Sequence, residues 1–373
     1  MTHAAANVPF YARCTPEEVQ HHAKSTAEGL YSLLPIEIFW RDRQVYLEQH
    51  GYLLRPRFRP GWSPSWLGTD IAPNFCEDSI CMLARHVMDA VKEDGGELVS
   101  LKSVERDGNE VRIAQYLFKS DARSDPLNHC VPVVDVLQDP LDPKLSILIM
   151  LYLRPFNDPE FGTIGEAVEF MRQTLEGLCY LHSRGVAHRD CATANIMMDA
   201  RSLYPQGHHP VRIETSRDGT RTLSPLSRSD HPVRYYYIDF GISSYIEKGT
   251  SPYVLGRRGR DKELPELSSE VPYNAFKADL FILGNLYKKE FLQTYLDLEF
   301  LQPLVQVMTA HQPDQRPTAE GAFSIFEAIR HALDGSLLRW RLRRKEETAP
   351  ERVVYDTVAA AREGIYRLRH LMK

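Results

Sequence analysis

The stretch Val186–Asp199, VAHRDCATANIMMD, constrains this chain more than any other. It carries His188-Arg189-Asp190, with Asn195 five residues beyond the aspartate, and Asp239-Phe240-Gly241 follows 44 residues after that asparagine. The apolar run Ile196-Met197-Met198 reads as a strand that anchors the loop, and RYYYIDFG (234–241) reads as the strand that enters the second motif. The set is two carboxylates and a carboxamide in a fixed order. One carboxylate suits a proton acceptor, and the other two groups are oxygen donors of the kind that hold a hard cation. Three residues alone are a weak signal, but a spaced asparagine and a later Asp-Phe-Gly in order are a strong one.

The 373 residues are 43% hydrophobic and 25% charged, which is enough for one large or two moderate cores. A formal net charge of −5 argues against a general nucleic-acid or membrane-surface binder. The six cysteines, Cys14, Cys76, Cys81, Cys130, Cys179 and Cys191, are scattered without zinc-site spacing and read as reduced thiols. Cys191, beside Asp190, reads as a packing residue. The opening MTHAAANVPF lacks a basic segment followed by an apolar core, and no apolar run reaches membrane-spanning length. The expectation is an intracellular protein with no membrane partner, cytoplasm and nucleus not being distinguished.

Along the chain, Thr15-Pro16-Glu17-Glu18 is a helix start: a capping residue, proline in the first turn, and acids at the positive end of the dipole. A second helical pattern runs from about Ile36 to His50 and closes at Gly51. Leu54–Trp66, LRPRFRPGWSPSW, then breaks regular structure with three prolines and reads as a structural arm clamped by its tryptophans. HVMDAV (86–91), the turn Asp94-Gly95-Gly96 and ELVSLKSV (97–104) form a hairpin pattern with Leu98, Ser100, Lys102 and Val104 on one side. An amphipathic helix begins at Glu110 (EVRIAQYLFK). NHCVPVVDVL (128–137) and LSILIMLYL (145–153) read as apolar strands, the second leading into a hinge near Met150 to Leu153.

From Pro155 the pattern turns helical. Thr163 to Glu166 is a capping-box signature, and Val168, Met171, Leu175 and Leu178 follow at helical spacing to a stop at Gly185. The segment between Asn195 and Asp239 is rich in Pro, Gly, Ser, Arg and His. It reads as an inserted, partly disordered surface loop, with His208-His209 on a solvated turn. The tail from Ser336 is basic and then amphipathic, and reads as a charged helix packed on the core. The expected boundaries are 1–84 for a helical and Pro-Arg-Trp arm, 85–154 for a β-rich region, 155–335 for a helical region with an insertion at about 200–233, and 336–373 for the tail.

These motifs resemble the eukaryotic protein-kinase superfamily over about residues 85–332. H-R-D-x-x-x-x-N and D-F-G match its catalytic loop and metal motif, and VSLK (99–102) is similar to its V-A-I-K strand. Pro265-Glu266, Asp279 in DLFILG and Arg316 in HQPDQRP follow in the family's order. The arm, the NHCVP segment and YPQGHHP also look like a group of fungal kinase-like proteins. The resemblance implies an α+β, two-lobed fold with a small β-rich lobe, a large helical lobe and ATP bound between them. By position, Asp190 would accept the substrate proton, while Asn195 and Asp239 would hold Mg²⁺. Lys102 would orient the ATP phosphates with Glu110 as its ion-pair partner, and Ser100 would roof the adenine. Glu266 and Arg316 would pair. Arg189 makes this an "RD" loop, which implies control through an anionic group on the segment after Gly241; Thr250, Ser251 and Tyr253 lie there.

Two departures stand against the resemblance. No glycine lies between Asp70 and Ala90, where a glycine-rich loop would close over the phosphates, and side chains such as Phe75, Met82 and Arg85 stand there instead. The catalytic loop also carries Ala192 and Ala194, where kinases place a lysine or arginine that neutralises the transferring phosphoryl group. The resemblance therefore implies a protein kinase acting with ATP and Mg²⁺ on a protein hydroxyl. The alternatives are a pseudokinase serving as a binding or scaffold module and, lowest, a small-molecule phosphotransferase.

Overall fold

The computed structural model describes residues 10–81, 84, 86–118 and 125–371. The first nine residues, Met82, Arg85, Lys119 and the last two residues, on which parts of the sequence reading fall, lie outside the described residues. The polypeptide forms two compact units, and the chain is α+β as expected.

The first unit takes in residues up to Asp107 together with Pro132–Leu153 and Tyr204–Pro225. Its first helix, α1 (Pro16–Ala27), starts where the sequence places it. The Thr15 hydroxyl accepts the Glu18 N–H at 3.3 Å and the Glu18 carboxylate accepts the Thr15 N–H at 2.8 Å, a reciprocal capping box. The next helical pattern divides into α2 (Pro35–Arg41) and α3 (Gln44–Gln49), and Gly51 follows in the left-handed conformation at φ 80°. An antiparallel sheet is then built from β1 (Tyr52–Leu53), β2 (Val87–Lys92), β3 (Leu98–Glu105), β4 (Val133–Gln138) and β5 (Leu145–Leu151) in the order β1-β2-β3-β5-β4. Gly95 and Gly96, at φ 88° and 67°, make the tight β2–β3 turn. Met88, Ala90, Val99 and Leu101 on one face of β2 and β3 meet Trp40, Leu47, Leu54 and Phe58 in one core. The stretch assigned to an arm thus contributes an edge strand and core residues to the sheet it precedes.

Two of the arm's three arginines, Arg55 and Arg57, point inward. Arg57 is fully buried and forks onto Glu37 at 2.9 and 3.0 Å, also donating to the Tyr31 and Asp78 carbonyls. Arg55 donates to Asp89, Glu77 and the Ile80 carbonyl. Burial holds the Asp89 carboxyl above its usual range despite Arg55. Glu77 is partly buried, but His209 and Arg55 outweigh the desolvation and hold it below that range. The indole N–H of Trp62 donates to Asp78, and that of Trp66 to the Thr26 hydroxyl. This segment is a structural clamp, as read.

The insertion, read as a partly disordered surface loop, carries no helix or strand, but its adjacent histidines are not where they were expected. His208 and His209 are 6% and 0% exposed, not on a solvated turn. The His209 Nδ1 accepts the N–H groups of Val211 and Arg212, each at 3.0 Å, so Nε2 carries the proton and donates it to Glu77 at 3.3 Å. The Tyr152 hydroxyl donates to the Pro210 carbonyl at 2.8 Å. The polar composition that reads as loop is used here to satisfy backbone groups that packing has buried.

The second unit comprises Gly108–Val131, Arg154–Leu203 and Leu226–Lys373. It contains α4 (Asn109–Leu117), β6 (Arg154–Pro155), the long buried α5 (Ile164–Ser183), β7 (Val186–Ala187), β8 (Ile196–Asp199), β9 (Arg234–Tyr237), β10 (Ser244–Tyr245) and α6 (Ala275–Tyr287). β6, β8 and β9 pair antiparallel, and β7 pairs with β10. Residues 128–131, read as the start of a strand, run beside Tyr237: Cys130 bridges it in parallel, and the Val131 N–H donates to its carbonyl at 2.9 Å. Phe170 of α5 stacks on Phe156 at 4.4 Å and meets Tyr235 edge-on at 4.9 Å. After α7 (Gln302–Met308) and α8 (Ala319–His331), the tail forms α9 (Gly335–Arg339) and α10 (Ala349–Leu371). Its arginines pair with acids: Arg341 with Glu347 and Asp356, Arg343 with Asp297, Arg344 with Glu160. Among the described residues no helix is long and apolar enough to cross a membrane.

Breaking a buried ion pair leaves an uncompensated charge, so Arg57→Ala is expected to destabilise the first unit by about 3–5 kcal/mol. Urea unfolding followed by tryptophan fluorescence measures this, since Trp40, Trp62 and Trp66 all lie in that unit. A loss below about 1 kcal/mol, the scale of a surface pair, would contradict the assignment.

Candidate active site

The loop after β7 is fixed by one carboxylate beneath it. Asn274 caps α6, its side chain accepting the N–H groups of Phe276 and Lys277 at 3.0 and 3.3 Å. The next turn of that helix carries Asp279, which is fully buried. Its Oδ2 accepts the His188 N–H at 2.8 Å and its Oδ1 the Arg189 N–H at 2.6 Å, while His182 approaches Oδ2 at 3.0 Å. A buried carboxylate needs such donors, and here they are the backbone of the loop itself. They hold Arg189 at φ 67°, a conformation that costs a non-glycine residue about 1–3 kcal/mol.

His188 is locked from both sides. The Asp190 N–H donates to its Nδ1 at 3.2 Å, so Nε2 is the protonated nitrogen and donates to the Ile238 carbonyl at 3.0 Å. Burial pushes its pKa down, against the opposing pull of Asp279, Asp190 and Asp239. The ring packs on Phe240 at a centroid distance of 5.1 Å. Cys191 is also fully buried, and burial followed by the charges of Asp279 and Asp190 pushes its thiol far up. It is a packing residue, as read.

Asp190 and Asn195 come together. The Asn195 Nδ2 donates to the Asp190 Oδ2 at 2.8 Å and to the Asp190 carbonyl at 3.0 Å. With both amide hydrogens engaged, the Asn195 side-chain oxygen is left as the donor atom for another group. The Asp190 Oδ1 accepts the Arg260 N–H at 2.8 Å. The Ile238 N–H donates to the Asn195 carbonyl at 3.0 Å, and Ile196 pairs with Tyr237, so the Asp190 loop and the Asp239 turn hang from adjacent strands.

Asp239 sits at φ 63° and accepts the Gly241 N–H at 3.3 Å. A Cβ on Gly241 would lie 3.2 Å from the Asp239 Oδ1 and 3.4 Å from the Glu110 Oε2. Glu110, in the first turn of α4, therefore brings its carboxylate to the same turn, and Asn109 anchors that helix by donating to the Ser243 carbonyl at 3.0 Å. The second unit thus assembles Arg189, Asp190, Asn195, Asp239 and Glu110. Lys102 and Ser100 belong to the first unit, half-buried on β3, where Lys102 pairs in register with Val87 and Leu148 and Ser100 with Asp89 and Met150.

Among the described residues Arg189 has no anionic partner. One end of its fork donates to the Ile242 carbonyl and the Ser244 hydroxyl at 3.2 and 3.3 Å, the other to the Leu255 carbonyl and the Tyr273 hydroxyl at 2.9 and 3.1 Å. The segment after Gly241 is therefore stapled to the loop through neutral acceptors, and Thr250 and Ser251 stand exposed on it. Farther on, Arg316 forks onto Glu266 at 2.6 and 2.8 Å, the pair the resemblance implied. Sequence reasoning missed the contact between Arg260 and Asp190. Its signal is Gly259, which sits at φ 112° with a would-be Cβ only 3.2 Å from the Arg189 carbonyl oxygen.

No model of a known protein family matches the chain. Individual proteins do. The chain is similar to CBL-interacting serine/threonine-protein kinase 26 of Arabidopsis thaliana, 29% identical over 196 residues, 48% of this chain and 39% of that protein. It is similar to serine/threonine-protein kinase ppk11 of Schizosaccharomyces pombe, 31% identical over 134 residues, 33% of this chain and 30% of that protein. Serine/threonine-protein kinase ppk8 of the same yeast is 24% identical over 180 residues, 47% of this chain and 28% of that protein. The chain is thus similar to the protein-kinase superfamily, with fungal kinases among its relatives, and it spans well under half the length of these relatives.

The bonds around His188 predict that its imidazole stays neutral at pH ~6.5, where an unperturbed histidine is half protonated. Folding is then most favourable above that pH and weakens below it, because the unfolded chain takes up a proton that the buried ring refuses. Nitrogen chemical shifts of the ring across a pH titration read this directly; an imidazolium signal from His188 near pH 6.5 would contradict it.

Proposed function

We propose that this chain is an ATP- and Mg²⁺-dependent protein kinase that transfers the γ-phosphoryl group to a hydroxyl of a protein substrate. The observation that carries the reading is the buried Asp190–Asn195 pair, hung from the strands that also present Asp239. In this reading the first unit is the small lobe and the second the large lobe of a two-lobed kinase. Asp190 accepts the proton of the attacking hydroxyl. The Asn195 side-chain oxygen and the Asp239 carboxylate are hard oxygen donors, the kind Mg²⁺ takes alongside phosphate oxygens. The bound metal would shield the charge of the phosphates. Lys102 orients the α- and β-phosphates with Glu110 as its counter-charge, Ser100 roofs the adenine, and Arg189 orders the segment after Gly241.

One observation favours the second reading, a pseudokinase that acts as a binding or scaffold module. Ser100 shares a face of the sheet with Leu98, and the insertion packs near that face. Asp89, Val91, Leu98, His209, Pro210 and Arg217 line a cavity of about 360 Å³ in the first unit. Residues 54–86, not a glycine-rich loop in sequence, join β1 to β2, and the described stretch 54–81 folds inward on Arg55 and Arg57. A base seated against Ser100 has to share that space with the insertion.

Thermal unfolding with ATP, with and without Mg²⁺, separates the two. Saturating ligand at ~100 times Kd stabilises by about 2.7 kcal/mol. The expected result is a rise in Tm that requires both ATP and Mg²⁺ and disappears in Asp239→Asn. A rise that ignores the metal and survives the substitution would contradict the assigned roles, and no rise at all would favour the second reading.

A further inference from the structure

The resemblance leaves the catalytic loop short of one positive charge, because Ala192 and Ala194 stand where a lysine or arginine is expected. In the structure both alanines line a cavity of about 410 Å³ in the second unit, and Arg260, Lys262 and Lys289 line it with them. Two of these three cations are engaged. The Lys289 ammonium pairs with Glu263 at 2.7 Å, and Lys262 donates to the Arg257 carbonyl at 2.9 Å. The Arg260 side chain has no partner among the described residues and is exposed. The backbone of the residue is nonetheless fixed, because its N–H donates to the Asp190 Oδ1 at 2.8 Å. Gly259 makes that approach possible: it sits at φ 112°, and a Cβ there would come within 3.2 Å of the Arg189 carbonyl and 3.6 Å of the Asp190 Oδ1.

We propose that Arg260 is the catalytic cation that the loop itself lacks, carried on the segment after Gly241. The inference rests on the phosphoryl-transfer reading given under Proposed function. In the step, the hydroxyl oxygen of the substrate bonds to the γ-phosphorus while the bond from that phosphorus to the β,γ-bridging oxygen breaks. The electron pair leaves with the nucleoside diphosphate, and the hydroxyl proton passes to the Asp190 carboxylate. Negative charge is spread over the γ-phosphoryl oxygens during the transfer, and the guanidinium of Arg260, whose backbone is bonded to Asp190, neutralises it. The planar fork suits phosphate better than a lysine ammonium does. Holding the segment in place is done by the backbone N–H of Arg260, which every substitution except proline keeps, so the side chain can be removed without removing the tether.

The test uses the full chain with Mg²⁺, ATP and a degenerate peptide library containing Ser, Thr and Tyr acceptors. Arg260→Ala is expected to lower kcat about 10²–10³-fold, the scale of losing one transition-state donor, while the Mg²⁺- and ATP-dependent rise in Tm is kept. Gly259→Ala, which leaves Arg260 in the sequence but displaces it, is expected to lower kcat as well. In the double variant Ala192→Lys with Arg260→Ala, a cation restored to the loop is expected to recover kcat by about tenfold or more. An Arg260→Ala protein with wild-type kcat, or a double variant no better than Arg260→Ala, overturns the role of Arg260 and leaves the kinase reading standing. A wild-type chain with no transfer to any peptide overturns both.

Discussion

The buried Asp279 carboxylate fixes the backbone of the loop that carries His188, Arg189 and Asp190. It lies at the start of a helix and accepts the backbone N–H groups of His188 and Arg189. Those two bonds keep Arg189 in a backbone conformation that it would otherwise leave. Because Arg189 is turned that way, its side chain crosses to the segment after Gly241 and staples it through Ile242, Ser244, Leu255 and Tyr273. Because that segment is stapled, Arg260 reaches Asp190. Each step is a geometric consequence of the one before, and the chain of contacts ends at the two oxygens of a single carboxylate.

Arginine does much of the internal work in both units. Arg57 on Glu37 ties the inward-folded arm to α2, and Arg316 on Glu266 ties the end of the stapled segment to the loop before α8. Pairs of this kind are not a large source of net stability, since desolvation offsets much of the Coulomb gain. Their value is geometric: a fork on a carboxylate has one good orientation, and losing either partner is severe. The same view applies to the start of the basic tail, where Arg341 pairs with Glu347 and Asp356, Arg343 with Asp297 and Arg344 with Glu160.

Much of this was legible in the sequence because it depends on short-range chemistry. Thr15 with Glu18, Gly51, Gly95-Gly96 and Gly185 mark ends and turns by their own conformational preferences, and the structure uses them so. The order of Asp190, Asn195 and Asp239 survives as spacing because two adjacent strands present them. What the sequence hid was set by long-range packing. Composition alone reads the stretch Tyr204–Pro225 as solvated. It is packed because His209 can accept two backbone N–H groups and meet Glu77, a partner 132 residues away. The strand read at 128–137 starts only at Val133, because residues 128–131 lie along Tyr237. Arg260 showed only as one arginine in a Gly-Arg-rich stretch until the backbone placed it on Asp190.

On the reading proposed above, this arrangement moves a phosphoryl group and Asp190 takes the proton. The most direct test of that reading is incorporation of the labelled γ-phosphate of ATP into protein acceptors in the presence of Mg²⁺, comparing the wild-type chain with Asp190→Ala. Incorporation by the wild type is expected, falling at least ~10²-fold in the variant, in line with the loss of a positioned general base. Equal incorporation by the two proteins, or none by the wild type, would contradict it.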